Sequence, residues 1–456
     1  MMIRTASSIL FFFIFLTSFA QYRIEGSLQG LNNENIILLR FFGDRHSFLD
    51  STRTDRNGWF RFSLPEDTPA GLYSLALNNK PFADLIFNKG NITLKIDWNS
   101  SSLPEFVFSV ENLVYYDYMV RSDIFTKKYA QLVDILGAYP EQDSFYYYTG
   151  AHFDRLQESF RDYTELILEE HAGTYVARMV RSDRPVMIPA KRVREDYLQF
   201  MRAHYFDEVD FTDTTLLNSN IFTGKAIDYL KFYSLQGIGK AGQEELFIQA
   251  VDSILLHAME NGQVYDFLMQ YLIEGFDMYG FDNVISHIAG NYEPAGACVD
   301  ENSKSELHKR MESLREMAVG KTAPPITFTD EHGQPQGLGS IDKELVAVIF
   351  WASWCPHCVS MMPELLNLYQ APGLPSFEVL SISVDTSAAE WNRSVKELGL
   401  PWINYAELKG WDSKAVKDYS IYATPTMFLL NREREILARP VNVTELKYAL
   451  ERSGKK

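Results

Sequence analysis

Cysteine is scarce in this chain: 456 residues carry three. Three thiols cannot build a disulfide framework, so the fold rests on buried apolar cores, and a four-cysteine zinc site within one chain is excluded. Positive charge is also short. Lys and Arg number 43 against 60 Asp and Glu, a formal net charge of −17. A chain this acidic is repelled by phosphate backbones, so no nucleic acid partner is expected. Long apolar runs are missing too, which excludes a polytopic membrane protein. What is present is ordinary globular material, 46% apolar and 23% charged, at a length that points to about three domains.

The first residues read as a targeting segment. Arg4 is the sole charge before Gln21, and Ile9 to Phe19 is an apolar run. A bilayer span needs about 20 apolar residues, so this run fits the core of a secretory signal peptide. Ser18 and Ala20 are small residues at the −3 and −1 positions of a cut before Gln21. An uncleaved N-terminal anchor is the alternative. Export to the periplasm or cell envelope is expected, which places the thiols in an oxidising compartment.

The remainder divides into three parts, a multidomain fold class. Residues 21–111 read as an all-β, sandwich-like domain: short aromatic and branched runs such as Ile36–Phe42, Trp59–Phe62, Leu72–Leu77 and Ile92–Ile96 alternate with turn signals such as Asp55-Arg56-Asn57-Gly58. Strands so spaced predict an antiparallel sandwich or small barrel. Residues 112–318 read as a helical middle domain, with Leu246, Ala250, Ile254 and Ala258 in steps of four and breaks near 137–140, 185–189, 237–242 and 292–296. The run Phe145-Tyr146-Tyr147-Tyr148 is read as core packing rather than a groove lining. The basic stretch Arg178–Arg194, with Asp183, Glu195 and Asp196 among or beside it, reads as a solvated surface, and Cys298 as a lone structural thiol. Residues 319–456 read as α/β. Leu345–Ala352 is a continuous apolar run, as in a strand buried on both faces. Further strands are predicted at Phe377–Val384, Thr426–Leu430 and Glu435–Ala438, with helices around Trp391–Leu398 and Thr444–Leu450.

The chemistry is expected at the end of the first of these strands. Trp351-Ala352-Ser353-Trp354-Cys355-Pro356-His357-Cys358 is followed by Met361, Leu365, Leu368 and Tyr369, a helical period. Cys355 then falls at a helix N-terminus, where free amides and the dipole stabilise a thiolate. Pro356 fits the first turn because its missing donor costs nothing there. Two intervening residues let Cys358 reach Cys355 within disulfide geometry. Cys355 is therefore read as the attacking thiol and Cys358, deeper in the helix, as the resolving one. A cationic His357 would lower the Cys355 pKa further.

These residues resemble the active-site signature of the thioredoxin superfamily, in the manner of the exported TlpA/ResA-like thiol–disulfide oxidoreductases. Tyr422-Ala423-Thr424-Pro425-Thr426, ahead of a strand, matches that family's cis-proline loop. The resemblance implies a C-terminal thioredoxin fold, a redox-active Cys355–Cys358 disulfide, Pro425 as the cis-proline and Thr424 as a substrate contact, with Trp354, Pro356 and His357 modulating the pair. It implies protein disulfides or thiols as substrates, a membrane-associated electron donor or acceptor as partner, and neither metal nor organic cofactor. Residues 21–111 resemble a small β domain of unknown function found ahead of thioredoxin modules in exported proteins of Bacteroidetes. There are departures. Thioredoxin's buried aspartate is replaced by Ile349, and the glutamate of many ResA-like members by Met361, which leaves Glu364 as a candidate proton acceptor.

Three rival readings are weighed. A metal site would need a second Cys/His pair at ligand spacing. A peroxiredoxin-like peroxidase would carry threonine where Ala352 stands. An envelope binding or scaffold protein, with the redox module as accessory, would put the function in the first two domains.

Overall fold

The structure is a computed structural model, and it describes residues 22–100, 103–296, 306–329 and 334–453. Residues 1–20, read above as a targeting segment, and Cys298 lie outside the described residues. The chain divides into two compact units, one up to Phe232 and one from Tyr233. It is multidomain as anticipated, with an N-terminal β-sandwich, a helical middle and a C-terminal α/β domain. The helices are shared between the two units.

In the first unit, eight strands form two four-stranded sheets. They are β1 (Tyr22–Gln29), β2 (Asn35–Phe42), β3 (Arg45–Arg53), β4 (Trp59–Leu64), β5 (Gly71–Leu77), β6 (Lys80–Phe87), β7 (Ile92–Asp97) and β8 (Glu105–Phe106). One sheet runs β4-β1-β7-β8 and the other β3-β2-β5-β6. Inward residues of both, among them Ile24, Phe60, Phe62, Leu75, Leu85 and Leu94, share one core. The expectation of a wholly antiparallel arrangement needs correction: β1 and β7 pair in parallel. The chain leaves β6 at the edge of one sheet and enters β7 in the other, and that crossing lays β7 beside β1 in the same direction.

The same unit contains α1 (Val110–Ala138), α2 (Ser144–Glu170), α3 (Tyr175–Asp183), α4 (Ala190–Glu195), α5 (Tyr197–His204) and α6 (Ile221–Lys231). The Ser109 hydroxyl accepts from the Asn112 amide and caps α1, and Asp143 caps α2. Buried Asn112 fastens α1 to the sandwich: it accepts from the Ile86 amide at 2.7 Å and donates to the Ile86 carbonyl at 2.8 Å. The aromatic run is a second correction. Phe145, Tyr147 and Tyr148 are exposed, and Tyr146 alone packs on a core. Four successive residues spread around most of a helix, whereas the buried stripe of α2 continues through Thr149, Phe153, Gln157 and Phe160. The basic stretch forms local ion pairs, Arg178 with Asp213, Arg184 with Glu208 and Arg192 with Asp196.

The second unit opens with α7 (Lys240–Ala258), α8 (Gly262–Met278), α9 (Asp282–Asn291) and α10 (Glu306–Glu316). A short hairpin, β9 (Thr327–Thr329) and β10 (Pro335–Gly337), leads to the α/β domain. There β11 (Leu345–Trp351), α11 (Pro356–Tyr369), β12 (Phe377–Ser383), α12 (Ala388–Leu398), β13 (Ile403–Ala406), α13 (Lys414–Asp418), β14 (Thr426–Leu430), β15 (Ile436–Ala438) and α14 (Val443–Ser453) follow. The sheet order is β13-β12-β11-β14-β15. β11 pairs in parallel with β12 and antiparallel with β14. Every residue of β11 is buried, as its unbroken apolar sequence requires. Among the described residues no helix is long and apolar enough to cross a membrane.

Candidate active site

Central strand β11 delivers the chain to the cysteine pair. After Trp351 a tight turn, closed by the Cys355 amide donating to the Ala352 carbonyl at 3.2 Å, brings Cys355 to the N-cap of α11. Its Sγ accepts from the Cys358 amide at 3.3 Å, the bond a capping oxygen would make. Pro356 occupies the first helical turn. Both thiols are free, and their sulfurs are 2.6 Å apart. Cys358 is fully buried and Cys355 nearly so.

Opposite the pair lies the loop that enters β14. Its Thr424–Pro425 bond is cis, and the Cys355 thiol faces the Thr424 carbonyl at 3.4 Å. Ladder pairing of β14 with β11 sets this juxtaposition, since Thr426 stands directly across from Phe350.

The two thiols are driven apart in acidity. Burial alone would raise Cys355, but bonds to its sulfur outweigh that effect and hold it below the ordinary thiol range. They come from the Cys358 thiol and amide, the Thr424 side chain and the His357 amide. Cys358 is pushed up to about 12, first by burial and then by its bond to the Cys355 sulfur. An attacking thiol kept acidic beside a protonated one is the arrangement disulfide exchange requires.

The remaining residues singled out from the sequence fall around this centre. The ring of His357 is exposed, so its backbone amide, rather than its ring, reaches the sulfur. Trp354 is 56% exposed, on the solvent side of the turn. Ile349 and Met361 are buried. Glu364 is exposed on α11, whereas Cys358 is buried.

One residue escaped the sequence reading. Asp385, just past β12, is 1% exposed. One carboxylate oxygen accepts from the Ser353 amide at 3.0 Å, and the other from the Ser353 hydroxyl at 2.6 Å. The Ser383 hydroxyl donates to it as well. Asp385 thereby fixes the turn two residues ahead of Cys355. A signal existed, because an aspartate closing an apolar strand beside the motif strand can reach the end of that strand. Only the parallel pairing of β11 with β12 shows that it does.

A family model described as thioredoxin-like matches residues 342–436. Over that stretch the C-terminal domain is similar to thioredoxin-like proteins. Its relatives include the thiol–disulfide oxidoreductase ResA of Bacillus cereus, 28% identical over 123 residues, which are 27% of this chain and 69% of the relative. The sporulation thiol–disulfide oxidoreductase A of Bacillus subtilis is 33% identical over 89 residues, 19% of this chain and 53% of the relative. Among solved structures, the thioredoxin domain of a thiol–disulfide oxidoreductase from Bacteroides vulgatus aligns at 26% identity with a TM-score of 0.28, over 30% of this chain and 97% of that one. A second family model, described as a domain of unknown function, matches residues 22–119 and so covers the β-sandwich with the start of α1. In the thioredoxin-like domain, the motif strand is β11, the motif helix α11 and the cis-proline strand β14.

Proposed function

We propose that this chain is an exported thiol–disulfide oxidoreductase that exchanges disulfides in cell-envelope proteins through Cys355 and Cys358. The observation that carries the reading is the contact between the two sulfurs, at a helix N-terminus and facing a cis-proline loop. Export is supported by the apolar run 9–19 with Ser18 and Ala20 ahead of Gln21. We read residues 1–20 as a signal peptide, 21–111 and 112–318 as accessory parts, and 319–456 as the redox part.

Cys355, as thiolate, attacks one sulfur of a substrate disulfide. That bond breaks, the second substrate sulfur leaves and takes a proton, and a mixed disulfide forms beside Thr424 and Pro425. Cys358 then gives up its proton and attacks the Cys355 sulfur, and the first substrate sulfur leaves. The substrate has gained two electrons and two protons, and the pair is oxidised. Run backwards, the same steps oxidise a dithiol. Trp354, Pro356 and His357 tune the pair. A membrane-associated donor or acceptor resets it, without metal or organic cofactor.

Two measurements test this. Cys355→Ser should abolish exchange, while Cys358→Ser should accumulate a mixed disulfide with substrate. Exchange that survives in Cys355→Ser rejects the reading. The reduction potential then assigns direction: about −270 mV marks a reductase and about −120 mV an oxidase.

A further inference from the structure

The thioredoxin-like domain does not present its redox face to open solvent on every side. Within the second unit, α8, α9 and α10 stand beside it. Three contacts seat α7, α8 and α9 along residues 439–445. Arg439 reaches Asp277 and Asp282 at 3.9 and 3.8 Å, and Lys240 pairs with Glu445 at 3.1 Å. At the corner between α8 and α9, Gly280 has φ +68°, and a Cβ there would fall 2.5 Å from a Val441 methyl. Glycine permits both the backbone conformation and the approach.

A cavity of about 560 Å³ remains between these helices and the redox face. His357 and Pro425 line one side, and each adjoins in sequence a residue that touches the Cys355 sulfur. Met278, Arg310 and Leu314 line the other. Arg310 spans the opening from α10, its guanidinium 5.8 Å from the ring of Tyr422 in the cis-proline loop. Large apolar side chains stand open at the rim: Met278 is 77% exposed and Tyr422 67%. The cations are answered locally, Arg310 by Glu274 and Arg439 by Asp277. The cavity therefore offers no surplus positive charge to a phosphate or other free anion.

We propose that α8–α10 form the second wall of the substrate cleft, and that this wall selects an extended polypeptide segment with an apolar side chain near its reacting cysteine. The inference rests on the disulfide-exchange reading above. The volume suits a few residues of chain rather than a lone disulfide. An exposed methionine and an exposed aromatic ring lining one cavity offer an adaptable apolar surface, suited to varied partner side chains. Continuity with the redox pair supplies the reason for its position. On this proposal a small disulfide needs only Cys355 and the cis-proline loop, whereas a polypeptide engages α8 and α10 as well.

The test uses the full chain in its reduced form. Exchange rates are measured with insulin and with the uncharged bis(2-hydroxyethyl) disulfide, for the wild type, Met278→Glu and Met278→Leu. Met278 is exposed, so the charge should not disturb folding. In Met278→Glu the ratio of the insulin rate to the small-disulfide rate should fall about tenfold, the size of an interface residue worth more than 1 kcal/mol. Met278→Leu should restore the ratio. A ratio unchanged in Met278→Glu, with the wild type active on both substrates, overturns the second wall and leaves disulfide exchange standing. A wild type that exchanges with neither substrate overturns the exchange reading and the cleft with it.

Discussion

At the scale of single residues, the centre works by separating two chemically identical side chains. Cys355 and Cys358 are three positions apart, yet hydrogen bonds lower one thiol and burial raises the other. Alkylation of reduced protein by iodoacetamide against pH should show a first inflection below the free-thiol value of about 8.5, from Cys355. An inflection at or above the free value in the wild type would mean that the thiolate is not stabilised. The motif residues were legible because local chemistry explains each: a cap, a first-turn proline, a partner one turn along. Asp385 was not, since its task depends on a strand neighbour 32 residues away from Ser353.

At the scale of elements, periodicity revealed what was buried and missed what was not. The strand β11, apolar throughout, stood out. The edge strand β3, Arg45–Arg53, has no buried residue and so carried no alternation to read. The edge strand β13 is only four residues long and half-buried throughout. The exposed aromatics of α2 failed in the opposite way, because apolar character was taken for burial when four successive helical residues cannot all face one core. The corner between α8 and α9 carries a pH dependence that no pattern announces. Burial pushes Asp282, at the start of α9, from an ordinary 3.8 up to about 7, against the lowering influence of Arg439 and Lys240 and with the help of Asp277 and Glu244. Between those two values the folded state holds a proton that the unfolded state has released, so stability falls as pH rises through this window. Asp282→Asn removes the group. Urea midpoints from pH 4 to 8 should decline less steeply in the variant than in the wild type, and equal slopes would count against a half-buried, proton-holding carboxyl.

At the scale of the whole molecule, the distribution of thiols is lopsided. Cys298, Cys355 and Cys358 all follow Tyr233, so the unit ending at Phe232 contains no thiol. Reduction and oxidation should therefore leave distinct signatures. Hydrogen exchange compared between the two redox states should change in peptides around β11, α11 and the loop entering β14, and stay level in β1 to β8. A change in the sandwich strands would show that the redox state reaches the first unit. The tripartite layout was legible because each part has its own hydrophobic period. The grouping of α7 to α10 with the thioredoxin-like domain was not, because it rests on side chains such as Arg439 and Glu445 that meet partners roughly 150 to 200 positions away.

Gly280 gives that grouping a practical consequence. A single added methyl group there would act as a wedge against Val441 while leaving every atom within bonding distance of the two sulfurs untouched. The electrochemistry of the pair and the choice of what reaches it are thus set by different parts of the chain. An engineer, or natural drift, could retune either setting and keep the other.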